Sequence, residues 1–396
     1  MIETKRPSEK LAEEFESIRA LIYNHLEEGN SFSLWRLPNS NQKHLIVSSE
    51  KLKPIKDLTI EEIESGFIIA PFNPDTGAFF MKASERYLFE DGKLHGEQRS
   101  TTENKKIDFV SKSLDPKSFA FHQLPIDKQS DSKKDDYMQL VRSAMARIAV
   151  GDLEKVVPAR CKTIEMPESL DLIETFEQLC KVYPDAFVSL LSSKTTGTWL
   201  GASPELLVQA DGKTFSTAAV AGTQLVAKNT DLKSIAWTQK EIEEQALVGR
   251  YIINCFKKIR LREFEEHGPK SWQAGNLVHL KTDFTVDMNE TNFPQLGSVM
   301  LKLLHPTSAV CGMPRERSLE FVRENEKFER GYFSGFLGPV NYLGESNLYV
   351  NLRCLQWNRN KIKLYAGAGV TSDSNPEKEW EETEMKMNTL LRIIDK

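Results

Sequence analysis

The most informative stretch of this chain reads Tyr365-Ala-Gly-Ala-Gly-Val370 and, after a short polar turn, Asn375-Pro-Glu-Lys-Glu-Trp-Glu-Glu-Thr-Glu-Met-Lys386. A segment in which glycines permit close backbone approach leads into a run that is rich in carboxylates. The proline suits the first position of a helix, with Ser374 or Asn375 as the N-cap. The pattern therefore predicts a helix over residues 376–395.

Two side-chain stripes follow from this helical assignment. Glu379, Glu382 and Lys386 share one face at spacings of i, i+3 and i+7. The neighbouring stripe is apolar and is predicted to face the core; it comprises Trp380, Met387, Leu391 and Ile394. These charges lie beside Gly367 and Gly369, whose backbone a ligand can approach closely, and so they suggest a site for a metal and an anion. A solvated helix with ordinary Glu–Lys pairs explains this segment equally well.

Bulk composition excludes several classes of protein. The chain has 396 residues, with 52 Lys+Arg against 57 Asp+Glu and a net charge of -5. It has no basic patch that would indicate a nucleic-acid partner or binding to an anionic membrane surface. No apolar stretch approaches the roughly 20 residues that span a bilayer, and the N-terminus lacks a signal-like run. The five scattered cysteines form no CxxC pair, so we expect a cytoplasmic protein in a reducing compartment.

The pattern along the chain predicts an α+β architecture. The first 95 or so residues indicate a helix followed by strands, and a polar linker covers about 100–136. Further helices are predicted at 137–150, 169–182, 231–262, 296–304, 314–326 and 376–395. Strands are predicted at 155–164, 186–192, 198–202, 205–209, 348–357 and 361–366. Long strands without a regular βαβ alternation favour α+β layers over a doubly wound sheet.

Lys155 and Glu205 are candidate proton-transfer groups. Lys155 begins an otherwise apolar strand, and a lysine in an apolar cleft loses hydration, so that its neutral amine can act as a base. Taken alone, the strand favours a surface lysine instead. Glu205 follows a proline at the head of an apolar strand, where burial would raise its pKa and suit a general acid. A glutamate that faces water at a sheet edge is the commoner case.

Four further residues have both a functional and a plain structural interpretation. Thr223 ends a run of small residues that could admit an anion or simply pack tightly. Glu244 lies on a helix that is apolar on two sides, so it needs a cation or a salt-bridge partner. His279 alternates with apolar neighbours and, by itself, resembles a core histidine. Arg353 lies inside a predicted strand, where an inward arginine usually meets a carboxylate.

These motifs become specific through their order along the chain. From residue 154 to 386 they run Lys-Val-Val-Pro-Ala-Arg, Gly-Ala-Ser-Pro-Glu-Leu-Leu, Ala-Gly-Thr, Lys-Glu-x-x-Glu, His-Leu-x-Thr, Leu-His-Pro-Thr-x-Ala-Val-Cys-Gly, Glu-x-Phe-x-Arg-Gly, Leu-Arg-Cys and Ala-Gly-Ala-Gly-Val…Glu-x-x-Glu-Thr-x-x-Lys. This series resembles the chorismate-utilising enzymes. The resemblance implies a catalytic region over 137–396, with residues 1–130 as the variable N-terminal part of the same fold.

The resemblance also implies an architecture and a ligand set. The fold would be two stacked antiparallel sheets flanked by helices, with the site between the sheets. Mg²⁺ would be held by Glu244 and Glu382, with Glu379 acting directly or through water, because Mg²⁺ prefers oxygen ligands and retained waters. The substrate would be chorismate, with His279 near its ring hydroxyl. Its carboxylates would be held by Thr223, Arg353, Gly367, Gly369 and Lys386.

Two positions indicate which branch of the family is closest. Lys155 matches the lysine of members that add water, where members that add an amine usually have glutamine. Ala221 replaces the nucleophilic lysine of aminodeoxychorismate synthase. The resemblance therefore implies isomerisation of chorismate to isochorismate, for menaquinone or siderophore biosynthesis. Water activated by Lys155 attacks C2, and Glu205 protonates the departing C4 hydroxyl.

Alternatives remain within and beyond this branch. A salicylate synthase would form isochorismate and then eliminate pyruvate, and an anthranilate synthase would use ammonia. A chorismate-binding paralogue without catalysis is a third possibility. The resemblance implies no glutaminase subunit and a monomer or weak homodimer. Gln245 departs from the histidine of many relatives, and we expect it to tune activity rather than abolish it.

Overall fold

The computed structural model describes residues 7–91, 93–99, 121–126, 131–167, 170–226, 230–274 and 277–394. Its helices are α1 (Pro7–Glu27), α2 (Lys134–Ala149), α3 (Leu172–Val182), α4 (Gln239–Lys258), α5 (Met288–Thr291), α6 (Leu296–Leu304), α7 (Arg315–Asn325) and α8 (Pro376–Ile394). Within the described ranges, no helix combines the length and the apolarity needed to cross a bilayer.

The strands account for most of the remaining chain. They are β1 (Ser31–Arg36), β2 (Lys43–Ser48), β3 (Lys53–Ile55), β4 (Gly66–Ala70), β5 (Ala78–Lys82), β6 (Glu85–Glu90), β7 (Lys93–Arg99), β8 (Lys155–Val156), β9 (Ala159–Glu165), β10 (Phe187–Ser193), β11 (Gly197–Ser203), β12 (Leu206–Ala210), β13 (Thr214–Leu225), β14 (Glu265–Ala274), β15 (Leu277–Asp287), β16 (Gly312–Met313), β17 (Phe336–Val340), β18 (Ser346–Val350), β19 (Cys354–Asn358) and β20 (Lys361–Gly367).

Two nine-stranded sheets form the framework. Sheet A has the order β7-β6-β2-β1-β10-β11-β19-β20-β9, and sheet B has the order β14-β15-β13-β12-β18-β17-β4-β5-β3. Neighbouring strands run antiparallel throughout both sheets. Strands from the first 99 residues enter both sheets. The N-terminal segment is therefore part of the same framework, while a domain division at residue 130 stays a prediction.

Three apolar cores separate the layers. The core between the sheets contains Trp35 from sheet A and Phe67 from sheet B. Within it the rings of Phe187 and Tyr349 stack at 4.4 Å between centroids. The outer face of sheet A packs against α1, α3 and α8, and that of sheet B against α2, α4, α6 and α7. The predicted α+β fold of two stacked antiparallel sheets flanked by helices is confirmed.

Helix ends follow their local sequence. The side chain of Asn375 accepts from the amides of Glu377 and Lys378 and so caps α8. Thr238 and Glu241 form a capping box that begins α4 at Gln239, which makes the predicted helix over 231–262 too long at its start.

Two predicted strands are each broken at a functional position. The strand predicted at 155–164 divides into β8, which pairs with β16, and β9, which pairs with β20. The strand predicted at 348–357 divides into β18 of sheet B and β19 of sheet A. A straight strand cannot serve two sheets, so the backbone turns between them. Most of the linker predicted at 100–136, namely 100–120 and 127–130, lies outside the described residues.

Candidate active site

Two adjacent connections between the sheets carry Glu205 and Arg353. The chain leaves sheet A after β11, enters sheet B at β12, and returns from β18 to β19. The connections lie side by side, because the Glu205 carbonyl accepts from the Val350 amide at 3.0 Å and the Arg353 carbonyl accepts from the Ala202 amide at 3.0 Å. The prediction that Arg353 lies inside a strand is wrong. Its φ of 46° turns the chain from one sheet to the other.

The Glu205 carboxyl is buried, and it forms no ion pair with any of the described residues. Its Oε1 accepts a hydrogen bond from the Thr307 hydroxyl at 3.0 Å. Burial raises the pKa of Glu205 to about 7, although the Thr307 hydrogen bond and the charges of Lys155, Lys386 and Arg353 act in the opposite direction. Near neutral pH this carboxyl is therefore substantially protonated and able to donate a proton.

Lys155 and Glu244 form a buried ion pair behind Gly369. The Lys155 side chain is fully buried, and its Nζ lies 2.8 Å from Glu244 Oε1. Burial alone would raise the pKa of Glu244, but the ion pair with Lys155 outweighs it and holds that pKa below its usual value. A Cβ on Gly369 would collide with Glu244 Oε1 and come within 3.1 Å of Lys155 Cε. The backbone can therefore cover this ion pair only because residue 369 is glycine.

One face of α8 supplies the other charges. The Lys386 Nζ lies 2.7 Å from Glu382 Oε1 and donates to the Gly367 carbonyl at 2.8 Å. Glu379 Oε1 accepts from the Lys240 Nζ at 2.6 Å. Burial raises the pKa of Glu379 despite the nearby charge of Lys240. The three charges therefore share a helix face, as the spacing predicts, but Glu379 lies deeper than Glu382.

His279 is held in one tautomer by its backbone partner. Its Nδ1 lies 2.7 Å from the Gly222 carbonyl, which can only accept, so Nδ1 carries the proton. Burial lowers the pKa of His279 to about 3, and the charge of Arg353 adds to this effect. The ring is neutral at physiological pH, and Nε2 keeps a lone pair with no partner among the described residues. Thr223 Oγ1 lies 3.4 Å from the same Nδ1.

Arg353 is a buried cation that points toward α8. Its side chain makes a hydrogen bond of 3.2 Å from Nη1 to Thr389 Oγ1. Burial lowers the pKa of Arg353 to about 10, although the charge of Glu382 opposes this shift. The guanidinium therefore stays protonated near neutral pH and provides a fixed positive charge inside the protein.

One cavity between these elements collects most of the predicted site residues. It is lined by Glu205, Thr223, Glu244, His279, Arg353, Gly367, Gly369, Glu382 and Lys386. Two predicted site residues, Lys155 and Glu379, are not in its wall. Lys155 lies behind Glu244, and Glu379 lies about one helical turn before Glu382. A larger open groove between α6, α7 and β4 contains none of the predicted residues.

Two contributors to this cavity were not predicted from the sequence. Thr307, which donates to Glu205, lies 102 positions away from it, and no pattern in a single sequence connects the two. Arg330 lines the cavity and is buried in a network of hydrogen bonds. Both residues lie inside motifs that were identified in the sequence, so the order of these motifs was the feature that could have indicated them.

Comparison with known proteins identifies the family. The model of the family described as "Chorismate binding enzyme" matches residues 87–395. The chain belongs to this family. Isochorismate synthase EntC of Escherichia coli (strain K12) is 30% identical over 278 residues, which are 68% of this chain and 69% of that protein. The vibriobactin-specific isochorismate synthase of Vibrio cholerae is 28% identical over 331 residues, covering 82% and 78% of the two chains.

A solved structure supports the same fold. The menaquinone-specific isochorismate synthase MenF from Escherichia coli superposes with a TM-score of 0.71, over 92% of this chain and 88% of that one. The identity between the two is 21%, so this similarity concerns the fold.

The carboxylates of Glu244, Glu379 and Glu382 are oxygen donors of the type that Mg²⁺ prefers, but they do not form a preassembled metal site. In the described ranges no three His, Cys, Asp or Glu side chains are close enough together to hold a metal. Glu244 and Glu382 line the same cavity, and each is paired with a lysine. Glu379 Oε2 is buried without a hydrogen-bond partner among the described residues. The donor types fit the metal, and the metal assignment stays a prediction.

Proposed function

We propose that this protein is an isochorismate synthase, which converts chorismate to isochorismate by adding water at C2 and releasing the C4 hydroxyl. The observation that carries the proposal is a buried carboxyl with a pKa of about 7, Glu205, near a buried lysine, Lys155. Water addition with loss of a hydroxyl needs one base and one acid, and an amine and a protonated carboxyl can supply them. The names of the relatives at 28% and 30% identity agree with this activity.

The acid step belongs to Glu205. The protonated carboxyl donates to the C4 oxygen as the C4–O bond breaks, so the hydroxyl leaves as water. As a lone pair of the attacking water forms the C2–O bond, the π electrons of the two ring double bonds shift toward C4, and the C4–O bonding pair leaves with the departing oxygen. Thr307 holds Oε1 by its hydrogen bond, which leaves Oε2 to carry the proton.

The base step belongs to Lys155. Its amine takes a proton from the water that attacks C2, and Glu205 delivers a proton to the leaving group, so the reaction consumes no net proton. The amine lies 2.8 Å from Glu244 Oε1, so this contact must open before the amine can reach the attacking water. Its buried position behind the cavity wall excludes bulk water from this base.

Fixed positive charges would hold the two carboxylates of chorismate. Arg353 and Lys386 line the cavity as cations, and the glycine backbone at 367 and 369 allows an anion to approach the amides closely. The Nε2 lone pair of neutral His279 would accept a hydrogen bond from the ring hydroxyl, which orients it toward Glu205. Thr223, whose Oγ1 lies 3.4 Å from His279 Nδ1, would add a hydroxyl donor beside it.

Mg²⁺ would be held by Glu244 and Glu382, with Glu379 acting directly or through water. When bound, the ion supplies positive charge that neutralises the carboxylate conjugated with the reacting ring. Buried Glu379 Oε2, which has no partner among the described residues, supports this assignment.

The test is a product analysis of the purified chain with chorismate. With Mg²⁺ we expect isochorismate as the product by chromatography, and we expect EDTA to stop its formation. Salicylate with pyruvate would replace the proposal by salicylate synthase, and anthranilate formed with ammonia would replace it by an amine-adding activity. Chorismate binding without turnover in the presence of Mg²⁺ would indicate a non-catalytic paralogue.

A glutamate variant tests the metal ligands separately. In Glu382→Gln, we expect the Mg²⁺ concentration needed for half-maximal activity to rise by about 10-fold or more, because one charged oxygen donor is lost. The matched control is Glu384→Gln, two residues along α8, whose carboxylate meets Arg160 instead of the cavity. An unchanged Mg²⁺ titration in Glu382→Gln would refute the ligand assignment.

A further inference from the structure

Arg330 is buried at the wall of the cavity. It is 3% exposed. Its Nε donates to Glu326 Oε2 at 2.8 Å, and its Nη2 donates to Glu326 Oε1, so the two form a bidentate ion pair. The guanidinium also lies 4.2 Å from the ring centroid of Phe72. The side chain is therefore fixed on three sides.

The same guanidinium binds two backbone carbonyls from distant segments. Nη2 donates to the Val157 carbonyl at 2.7 Å, and Nη1 donates to the Val310 carbonyl at 2.8 Å. Its partner Glu326 accepts from the Ala159 amide at 2.7 Å. The Arg330–Glu326 pair thus holds both sides of the break between β8 and β9 and joins them to the loop that contains Val310.

These two segments carry the proposed base and the partner of the proposed acid. Val157 comes two residues after Lys155, whose amine meets Glu244. Val310 comes three residues after Thr307, whose hydroxyl meets Glu205. The backbone between the segments is already paired, since the Val157 amide donates to the Cys311 carbonyl at 2.9 Å. The Arg330–Glu326 ion pair adds side-chain hydrogen bonds to this backbone pairing.

We propose that Arg330 is a positioning residue, which together with Glu326 sets the distance and angle between the Lys155 strand and the Thr307 loop. This inference rests on the proposed function, in which Lys155 is the base and Glu205, the partner of Thr307, is the acid. A lysine cannot replace the guanidinium, since a single ammonium cannot make the parallel bonds to a carboxylate and also reach two carbonyls. Displacement of a reacting group by about 1 Å is enough to cost about 10²-fold in rate.

Arg36 offers a matched control within the same chain. It is also a buried arginine, 2% exposed, and it binds backbone carbonyls that include those of Tyr183 and Pro184. Neither carbonyl belongs to a residue that lines the cavity. Loss of Arg36 therefore tests what the removal of a buried, carbonyl-binding arginine does to stability alone.

The experiment compares Arg330→Lys with Arg36→Lys in the full-length protein with Mg²⁺. For Arg330→Lys we expect kcat to fall by about 10²-fold while KM changes by less than about 3-fold, because orientation and not binding is lost. We also expect the pH at which kcat falls to move, because the Thr307–Glu205 hydrogen bond is altered. For Arg36→Lys we expect a lower Tm with the wild-type kcat and pH profile.

Chemical rescue keeps the inference testable if Arg330→Lys is unstable. In Arg330→Ala, added guanidinium at a non-denaturing concentration should restore part of the lost kcat, and it should leave the kcat of Arg36→Ala unchanged. If the Arg330 variants keep wild-type kcat per folded molecule and an unmoved pH profile, the positioning role is wrong. If the wild-type protein forms no isochorismate, the proposed function has failed first, so the two failures are distinguishable.

Discussion

Each side of the cavity encloses a glutamate, and the two glutamates have pKa values shifted in opposite directions. On one side Glu244 meets Lys155 at 2.8 Å, and its pKa lies below the usual value. On the other side the Glu205 carboxyl accepts a hydrogen bond from the Thr307 hydroxyl, and burial raises its pKa to about 7. Burial by itself favours the neutral carboxyl, so the neighbour decides the outcome. In the proposed mechanism, this difference places a carboxylate on the metal side and a carboxylic acid on the leaving-group side.

Removal of the amine at position 155 should give the largest effect. Lys155→Gln removes the base and, in addition, the partner of Glu244. We expect isochorismate formation to fall by about 10³-fold or more, within the range that general-base removal usually costs. Turnover is measured by chromatography, with circular dichroism to verify that the variant is folded.

Lys155→Arg distinguishes the base from the ion pair. A guanidinium can keep a salt bridge to Glu244, but it does not lose its proton near neutral pH. We expect this variant to be as inactive as Lys155→Gln. If the arginine variant retained substantial activity, the amine would not be the base and the water would be activated by another group.

The acid side predicts how activity depends on pH. Because Glu205 must be protonated to donate, we expect kcat to fall as the pH rises through about 7. His279, with a pKa of about 3, should add no step in this range. In Glu205→Gln we expect kcat to fall by about 10²- to 10³-fold and the step near pH 7 to disappear. A step that persists in this variant would assign it to a different group.

The same shift predicts a pH dependence of stability. A carboxyl whose pKa is raised on folding, here from 4.5 to about 7, contributes stability that is fully present below pH 4.5 and is lost as the pH rises through 7. Glu205→Gln lacks this dependence. From pH 4 to pH 8, its free energy of unfolding should therefore gain roughly 3 kcal/mol relative to the wild type, as measured by urea unfolding. A constant difference would contradict the raised pKa.

Sequence reasoning predicted the cavity better than it predicted the path of the chain. The residues of α8 could be placed because helical spacing is local: Glu382 and Lys386 lie on one face wherever the helix packs. The strand containing Arg353 was mispredicted because its apolar residues look continuous, although the chain changes sheets there. Which sheet a residue joins depends on partners that are distant in sequence, and these leave no local pattern.

The neighbours of the acid and base show a second limit. The family resemblance implied that Lys155 acts as a base, but the sequence did not predict that the amine would be paired with Glu244, 89 positions away. It likewise gave no role to Thr307. Roles came from the order of motifs, whereas the charge states depend on burial and on contacts between residues that are distant in sequence.

Thr307→Val tests the one hydrogen bond that modifies the acid. The hydroxyl donates to Glu205 Oε1 and lowers its pKa, so its removal should raise that pKa further. We expect the fall in kcat to move to higher pH and kcat at neutral pH to change by less than about 10-fold, which corresponds to one ordinary hydrogen bond. Thr307→Ser, which keeps the hydroxyl, is the control. Identical pH profiles for the valine variant and the wild type would contradict this effect.

The smallest expected effect lies next to Glu244 on the charged side. Gln245 donates to the Ala219 carbonyl at 3.2 Å and to Thr282 Oγ1 at 2.9 Å, so it fixes α4 against β13 and β15. Gln245→Ala should lower the free energy of unfolding by about 1–3 kcal/mol, because it leaves buried polar groups without a partner. Gln245→His can keep one of the two bonds and should lose less. Because neither change touches Lys155, both variants should keep the pH profile of the wild type; a shifted profile would mean that residue 245 acts on the ion pair itself.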